Sequence, residues 1–586
     1  MTVSVLDQVN SPADVKALDY NELTALANEI RAEIIRTTAS NGGHLATNLG
    51  TVELSIALHW GLDSPRDKII WDVGNQCYAH KMLTGRRHRF STIRQAGGLS
   101  GFINREESVH DHLTTGHAGT ALSSALGIAA ARDRFGDDYC IAAVVGDGAM
   151  TSGMSYEALN NLGTFNSPLL VILNDNEYSI ARSCGGLAQA LKQAKAKILD
   201  GTIFEQLGVT YLGPVDGHDL RLLTDVLFEA KRFDHPVLLH VLTQKGKGYK
   251  PAETDPQQFH GVGRFNPATG RPYRAGTKPD YSELFGQEMI RLAAKDERVV
   301  AITAAMTAGT GLREFAERWP DRLYDVGIAE QHAVTFAAGL ALGGTRPVVA
   351  IYSSFFQRSY DQVIHDVCLQ NLPVTFVLDR AGIVGADGPT HHGVFDYAYL
   401  RILPRMVVMA PMDGDEFKQM LRASVAYDGP AAIRIMRGAV PAPQELCEAT
   451  PIEIGKGQLL RDGGDVALIA IGSMVHRAID AAQLLEEQGI SAAVVNARFV
   501  KPLDASLILE TTKRVKRVFT LEEHAALGGF GSAVTELLTQ HNAQTPIAVL
   551  ALPDRFVEHG SANQLLDECG LSAEKIVARV LEELKK

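Results

Sequence analysis

Cysteine is scarce and scattered. The six residues Cys77, Cys140, Cys184, Cys368, Cys447 and Cys569 are spread over 586 positions, and no two form a Cys-x-x-Cys pair. That spacing argues against a disulfide framework and a thiolate zinc site, and fits reduced thiols in a cytoplasmic protein. Positive charge is also short: 56 Lys and Arg stand against 68 Asp and Glu, for a net charge of −12. A nucleic-acid binder needs a basic face, so that class finds no support, although local basic patches still suit a phosphorylated metabolite. No apolar run reaches the roughly 20 residues a membrane helix requires. Residues Met1 to Asn10 lack the basic start and apolar core of a signal peptide. Low-complexity tracts are missing as well. What remains is an ordinary globular composition, 46% hydrophobic and 21% charged, long enough for about three or four domains.

The most informative stretch runs from Gly146 to Tyr178. It opens with Gly146-Asp147-Gly148 after the β-branched run Ile141–Val145, and closes with Asn174-Asp175-Asn176-Glu177-Tyr178 after the apolar run Leu169–Leu173. Two buried parallel strands with a helical crossover would bring Asp147 and Asn176 to one sheet edge. A hard cation there can take a carboxylate oxygen, an amide oxygen, a backbone carbonyl and the oxygens of a diphosphate. Gly-Asp-Gly alone is an ordinary turn. Both halves after apolar strands, at a separation suited to one crossover, resemble the binding motif for thiamine diphosphate and Mg2+.

The flanking sequence predicts an open parallel sheet with helices on both faces. Asn21 to Ile35 carries apolar residues at helical spacing, and Asp67–Val73 and Val237–Leu242 read as buried strands. Gly74, Asp147 and Asn176 all fall at carboxyl ends of strands, where such sheets bind ligands. Residues 263 to 279 are polar and rich in Pro and Gly, which reads as a linker. A second α/β block follows, with strands at Val299–Thr303, Val348–Tyr352 and Val374–Leu378. After Pro441-Ala442-Pro443 comes a third, with strands at Val466–Ile471, Ala492–Val495 and Val518–Leu521. The expected fold is α/β, three doubly wound domains: 1–262, then 280–440 and 441–586 after the linker. In the second block Glu330 opens a helix. A carboxylate in a first turn is favoured by the helix dipole, so capping alone is a sufficient reason for it. Beside the diphosphate motif, the reading preferred is that Glu330 hydrogen-bonds a ring nitrogen of the thiamine aminopyrimidine.

With Glu330 placed, the whole chain resembles the 1-deoxy-D-xylulose-5-phosphate synthases, a transketolase-like family. The resemblance is carried by Gly43-His44, Asp72-Val73-Gly74, Leu83 to Arg86, Gly116-His117, the two halves of the diphosphate motif and Gly213 to Asp219. It continues through Ile328 to His332, Tyr352 to Asp361, Asp379 to Gly388, Arg437-Gly438 and, in the third block, Phe499 to Asp504. It implies a cytoplasmic homodimer of three α/β domains, with thiamine diphosphate between the first two. The reaction implied joins pyruvate to D-glyceraldehyde 3-phosphate with loss of CO2, feeding isoprenoid, thiamine and pyridoxal synthesis. It further implies Mg2+ held by Asp147, Asn176 and the carbonyl of Tyr178. Asn75, Gly116, His117, Ala118, Gly148, Ala149, Lys245 and Tyr249 would surround the cofactor, and Phe355 would stack on the aminopyrimidine. Glu330, His44, His391 and Asp387 would handle protons and pyruvate, with His260 within reach of the site. Tyr352, Arg358, Arg380 and Arg437 would meet the phosphorylated aldehyde; a guanidinium fork suits phosphate, though each arginine equally suits a structural ion pair.

The chain departs from the family in places. Asn75 stands where Asp-Val-Gly-His-Gln has its histidine, and an amide hydrogen-bonds but transfers no proton near neutral pH. Gly116-His117-Ala118-Gly119 replaces Gly-His-Ser-Ser, removing two hydroxyls. Tyr178 replaces a methionine, and Ala305 to Gly311 lacks the usual charges. A few tens of residues are missing after Ile180, leaving one amphipathic stretch, Leu187 to Leu199, that would cover the site. The rival readings are a transketolase or another acyloin-forming enzyme of the same cofactor, and a non-catalytic paralogue, which intact Asp147 and Glu330 disfavour.

Overall fold

The computed structural model describes residues 4–196, 201–273, 279–441 and 452–586. The chain divides into two compact units, one of Met1–Ala275 with Gly327–Ala329, the other of Gly276–Val326 with Glu330–Lys586. Part of the expected linker, 274–278, most of the Pro-rich junction after Pro441, and residues 197–199 of the expected helix lie outside the described residues.

The first unit is built on five parallel strands, β1 (Lys68–Trp71), β2 (Ile141–Gly146), β3 (Leu169–Asp175), β4 (Thr210–Asp216) and β5 (Pro236–Leu242), in the order β1-β2-β3-β5-β4. β2, β3 and β5 are almost wholly buried, as unbroken β-branched and leucine runs must be when helices cover both faces. The helix Tyr20–Asn41 shows how local signals set its limits. Asp19 and Glu22 form a reciprocal cap at its start, and Gly42 ends it at φ +75°. Leu23, Leu26, Ala27, Ile30 and Ile34 make its buried stripe, each large side chain contributing about 1.5–3 kcal/mol. Replacing Ile30 by Ala would leave a cavity costing about 2–5 kcal/mol.

The second unit holds two sheets. Strands β6 (Val299–Thr303), β7 (Leu323–Asp325), β8 (Arg346–Tyr352), β9 (Thr375–Ala381), β10 (Val407–Met409) and β11 (Ala431–Met436) belong to the first of them. The later strands are β12 (Gln458–Arg461), β13 (Val466–Ala470), β14 (Ala492–Asn496), β15 (Phe499–Lys501), β16 (Arg517–Ala525) and β17 (Ile547–Leu552). The sheet orders are β15-β10-β11-β9-β8-β6-β7 and β12-β14-β13-β16-β17. The Phe499 segment, assigned by sequence to the third block, thus pairs antiparallel with β10 of the second block's sheet. Periodicity in three residues cannot say which sheet accepts them. One apolar core runs through both sheets, with Val349 and Phe376 in the same cluster as Ile469 and Val495.

Buried histidines set an acid limit on this fold. His59 Nε2 meets His80 Nδ1 at 2.9 Å, and His80 Nε2 meets Asp111 at 2.9 Å, all fully enclosed. Burial pushes both histidines below their usual range, and pushes His524 down to about 4. Unfolding returns such groups to an ordinary value near 6.5, so below about that pH the unfolded chain binds more protons than the folded one. These histidines are therefore expected to lower stability as pH falls from about 6.5 to 5. Thermal unfolding across that range checks this; a midpoint unchanged down to pH 5 would contradict it.

Candidate active site

The carboxyl ends of β1, β2, β3 and β5 gather one set of polar groups in the first unit. Gly146 of β2 is in register with Asn174 of β3, so Asp147 and Asn176 emerge side by side. The Asp147 N–H donates to the Asn174 carbonyl at 3.1 Å, and the Asn176 N–H points to Asp147 Oδ1 at 3.4 Å. Glu177, at φ +64°, turns the chain so that the Tyr178 N–H donates to Asn176 Oδ1 at 3.1 Å. Gly148 is required by closeness: a Cβ there would lie 2.3 Å from that of Ser179. Asp147 is 3% exposed, and burial together with neighbouring Asp175 pushes its carboxyl up to about 7. A buried acid of this kind stays ionised only beside a cation. One carboxylate, one amide oxygen and a turn carbonyl suit a hard divalent ion that fills its remaining positions with ligand oxygens.

Lys245, beyond β5, is buried and donates to the Ser179 carbonyl, while its Nζ lies 3.1 Å from His260 Nδ1. Burial drives its amine down to about 7. His260 packs edge-on to His44 with ring centres 5.6 Å apart. The fully buried Asn48 joins this cluster to the β1 loop, donating to the carbonyls of His44 at 2.6 Å and Asn75 at 2.7 Å. Asp72 accepts from the N–H groups of Gly119 and Ala121, which ties the Gly116-His117-Ala118 turn to the same loop. Val73 sits at φ +59°, a costly conformation for a β-branched residue and one that strained functional loops retain. Ala149 begins a short helical turn after Gly148. Tyr249 is placed differently: its ring packs on Phe259 and Phe265, and its hydroxyl donates to the Pro267 carbonyl.

A second cluster lies in the second unit. Glu330 heads the helix Glu330–Leu342 and is 4% exposed. Its Oε2 accepts no hydrogen bond among the described residues, and the nearest cation, Arg358, is 3.7 Å away. Burial raises its carboxyl. An enclosed acid with an unused oxygen suits a ligand nitrogen. Phe355 stacks with Tyr352 at 5.6 Å and meets His391 edge-on at 5.3 Å. Arg380 lies over the Tyr352 ring at 3.9 Å and donates to the Gly309 carbonyl, and Arg437 pairs with Asp387 at 2.9 Å. All three arginines thus have partners in the protein, and of them Arg437 is the most exposed.

The sequence profile described as 1-deoxy-D-xylulose-5-phosphate synthase matches residues 6–199 and 188–243. The transketolase pyrimidine-binding domain matches 277–443 and the transketolase C-terminal domain 455–576. Proteins named 1-deoxy-D-xylulose-5-phosphate synthase are 50% identical in Pelotomaculum thermopropionicum, covering 99% of this chain and 97% of the relative. The protein of that name in Thermomicrobium roseum is 53% identical, covering 98% and 97%. The chain belongs to the 1-deoxy-D-xylulose-5-phosphate synthase family. A solved transketolase from Campylobacter jejuni aligns at a TM-score of 0.46 and 19% identity, covering 96% of this chain and all of that one. The two matches to the synthase profile overlap at 188–199, in the region where the sequence reading finds residues missing.

Sequence reasoning missed what the short segment after Ile180 does in the first unit. The helix Gly185–Lys195 buries Leu187 and Leu191, and Lys195 reaches Asp175 at 3.1 Å and Glu177 at 3.0 Å. Ser183 donates to Asp147 Oδ2 at 2.6 Å and Arg182 pairs with Glu177 at 2.8 Å. The segment therefore braces the turn that carries Asn176 and Tyr178. Replacing Lys195 by Met leaves Asp175 short of one cation and is expected to cost about 1–3 kcal/mol locally. Binding of thiamine diphosphate, followed by fluorescence, should weaken several-fold; an unchanged titration would rule out the brace.

Proposed function

We propose that the protein is a cytoplasmic transferase that joins pyruvate to D-glyceraldehyde 3-phosphate, releasing CO2 and 1-deoxy-D-xylulose 5-phosphate, with thiamine diphosphate and Mg2+. The observation that carries this is identity of about 50% to synthases of that name over nearly the whole chain, with Asp147 and Glu330 buried and Asn176 half-buried beside Asp147. The bound cofactor supplies the electron sink that makes loss of CO2 possible.

The chain's own residues divide the remaining work. Asp147, Asn176 and the Tyr178 carbonyl hold Mg2+, and Lys245, with the backbone at Gly116, His117, Ala118, Gly148 and Ala149, meets the diphosphate. Glu330, its carboxyl raised by burial, would share a hydrogen bond with a ring nitrogen of the aminopyrimidine, and Phe355 would offer that ring an aromatic face. His44 and His260 orient pyruvate and carry its proton traffic. Asn75, 7% exposed, supplies hydrogen bonds and no proton. Although the resemblance gives His391 and Asp387 to pyruvate and its protons, the pairing of Asp387 with Arg437 at 2.9 Å turns them toward the acceptor, whose phosphate is met by Arg437 and Arg380 with Tyr352, while Arg358 balances Glu330. We divide the chain into domains 1–262, 280–440 and 441–586, with these roles carried by the first two. We further propose a homodimer, as the family resemblance implies.

Purified protein given pyruvate, thiamine diphosphate and Mg2+ is expected to release CO2 in a triose-phosphate-dependent manner and to form deoxyxylulose phosphate. Activity with ketose phosphates as donors instead would replace this reading with a transketolase. Glu330→Ala is expected to lower kcat by at least about 100-fold, the scale of a lost proton-transfer partner, while leaving the melting midpoint within a few degrees. Sedimentation should give the mass of two chains, and a monomer at micromolar concentration would remove the dimer.

A further inference from the structure

The loop from Gly382 to His392 carries Asp387 and His391, and part of what fixes its backbone comes from the C-terminal part of the chain. Glu523, on β16, is 3% exposed. Its Oε1 accepts the Ile383 N–H at 2.6 Å, and its Oε2 accepts the Ser473 hydroxyl at 2.7 Å. The Glu523 carbonyl accepts from Arg434 Nη2 at 2.7 Å, and Arg434 also grips Asp396 and the Gly393 carbonyl. Gly382, at φ +76°, exchanges backbone hydrogen bonds with Gly393 at 2.8 and 3.0 Å. A Cβ on Gly382 would stand 2.4 Å from Glu523 Oε1. Only glycine both adopts this conformation and leaves room for the carboxylate.

Two further contacts repeat the pattern along the loop. The Val384 N–H donates to His392 Nδ1 at 3.1 Å, and His392 Nε2 meets the Glu558 carbonyl at 3.2 Å. Those two bonds require the neutral tautomer with its proton on Nε2, consistent with burial lowering this histidine's proton affinity. The Gly560 N–H points to the Gly385 carbonyl at 3.4 Å. From the loop's own domain, Arg437 donates to the Val384 carbonyl at 3.3 Å and to Asp387.

We propose that Glu523 is a positioning residue: from the C-terminal sheet it fixes the start of the 382–392 loop, and so sets where Asp387 and His391 stand for the acceptor substrate. This rests on the reading that the loop faces the acceptor. A buried carboxylate spanning two donors holds a loop more firmly than backbone contacts alone, because charge-assisted bonds are the stronger class. Glu523 itself touches none of the residues assigned to the cofactor, and the loop meets them only where His391 packs on Phe355, so loss of Glu523 should act on the acceptor far more than on cofactor binding.

The test uses the full-length holoenzyme with Glu523→Ala, Glu523→Gln, Gly382→Ala and, as reference, His391→Ala. Glutamine keeps an oxygen for Ile383 and an amide for Ser473, so Glu523→Gln should stay within about threefold of the unaltered enzyme in every parameter. Glu523→Ala should raise KM for D-glyceraldehyde 3-phosphate about tenfold or more, with thiamine diphosphate affinity changed less than twofold. Gly382→Ala approaches the same contact from the loop and should reproduce that pattern, which keeps the test open if Glu523→Ala fails to fold. Unchanged KM for the triose phosphate in both variants, beside a strong loss in His391→Ala, would overturn the role given to Glu523 while keeping the loop at the acceptor. An inert His391→Ala would instead overturn the reading of the loop itself.

Discussion

Two carboxylates close together beneath a sheet edge need positive charge, and the first unit is arranged around how each obtains it. Asp175 is answered within the chain, by Lys195 at 3.1 Å and His240 at 3.0 Å. Asp147 receives a hydroxyl from Ser183 and a backbone N–H from Asn176 but no direct cation in the hydrogen-bond pattern described. Hydrogen bonds reduce the desolvation of a buried carboxylate without cancelling its charge. The asymmetry between neighbouring acids is what suits this strand-end turn to a divalent ion in the function proposed. The remaining groups follow: Gly148 keeps the approach open, and Lys245 adds positive charge on the side facing Ser179.

The second unit shows the complementary arrangement, in which an acid is denied partners. Glu330 caps a helix whose dipole favours negative charge, yet burial opposes ionisation more strongly and its carboxyl rises. Arg358, at 3.7 Å, is too distant for a close hydrogen bond and supplies only field. Left with an unused oxygen, Glu330 is set to share a proton with a ligand. A tighter Arg358 pair would favour the ionised form of the acid.

Strand positions were legible because parallel strands buried on both faces read as unbroken apolar runs: Val299–Thr303 was read residue for residue, and β3 and β5 to within two residues at either end. The turn of Asp147 and Asn176 was legible because both halves follow apolar strands at a separation suited to one crossover, although either half alone is an ordinary turn. Three things were not. Asn48, fully buried, acts through backbone carbonyls of His44 and Asn75, and a lone Asn in a helix looks like any other. Lys195 lies 18 residues beyond Glu177, a pairing that only a particular loop path creates. The placement of β15 in the second block's sheet depends on which sheet has a free edge, and that is a property of the assembled unit.

The same limit explains how the C-terminal sheet bears on substrate recognition. Its strands carry none of the residues that sequence reasoning put in the site, and its sequence reads as a plain α/β repeat. Yet the 382–392 loop contains Gly382, Gly385 and Gly388, all at positive φ, and a stretch so rich in glycine has little intrinsic preference for one shape. Its order must be supplied from outside. Arg434 and Asp396 in the loop's own domain, together with Glu523 and Glu558 from the C-terminal part, supply it through buried polar contacts at defined distances. A loop flexible by composition and fixed by its neighbours can be retuned by changing those neighbours, without touching a residue that meets substrate.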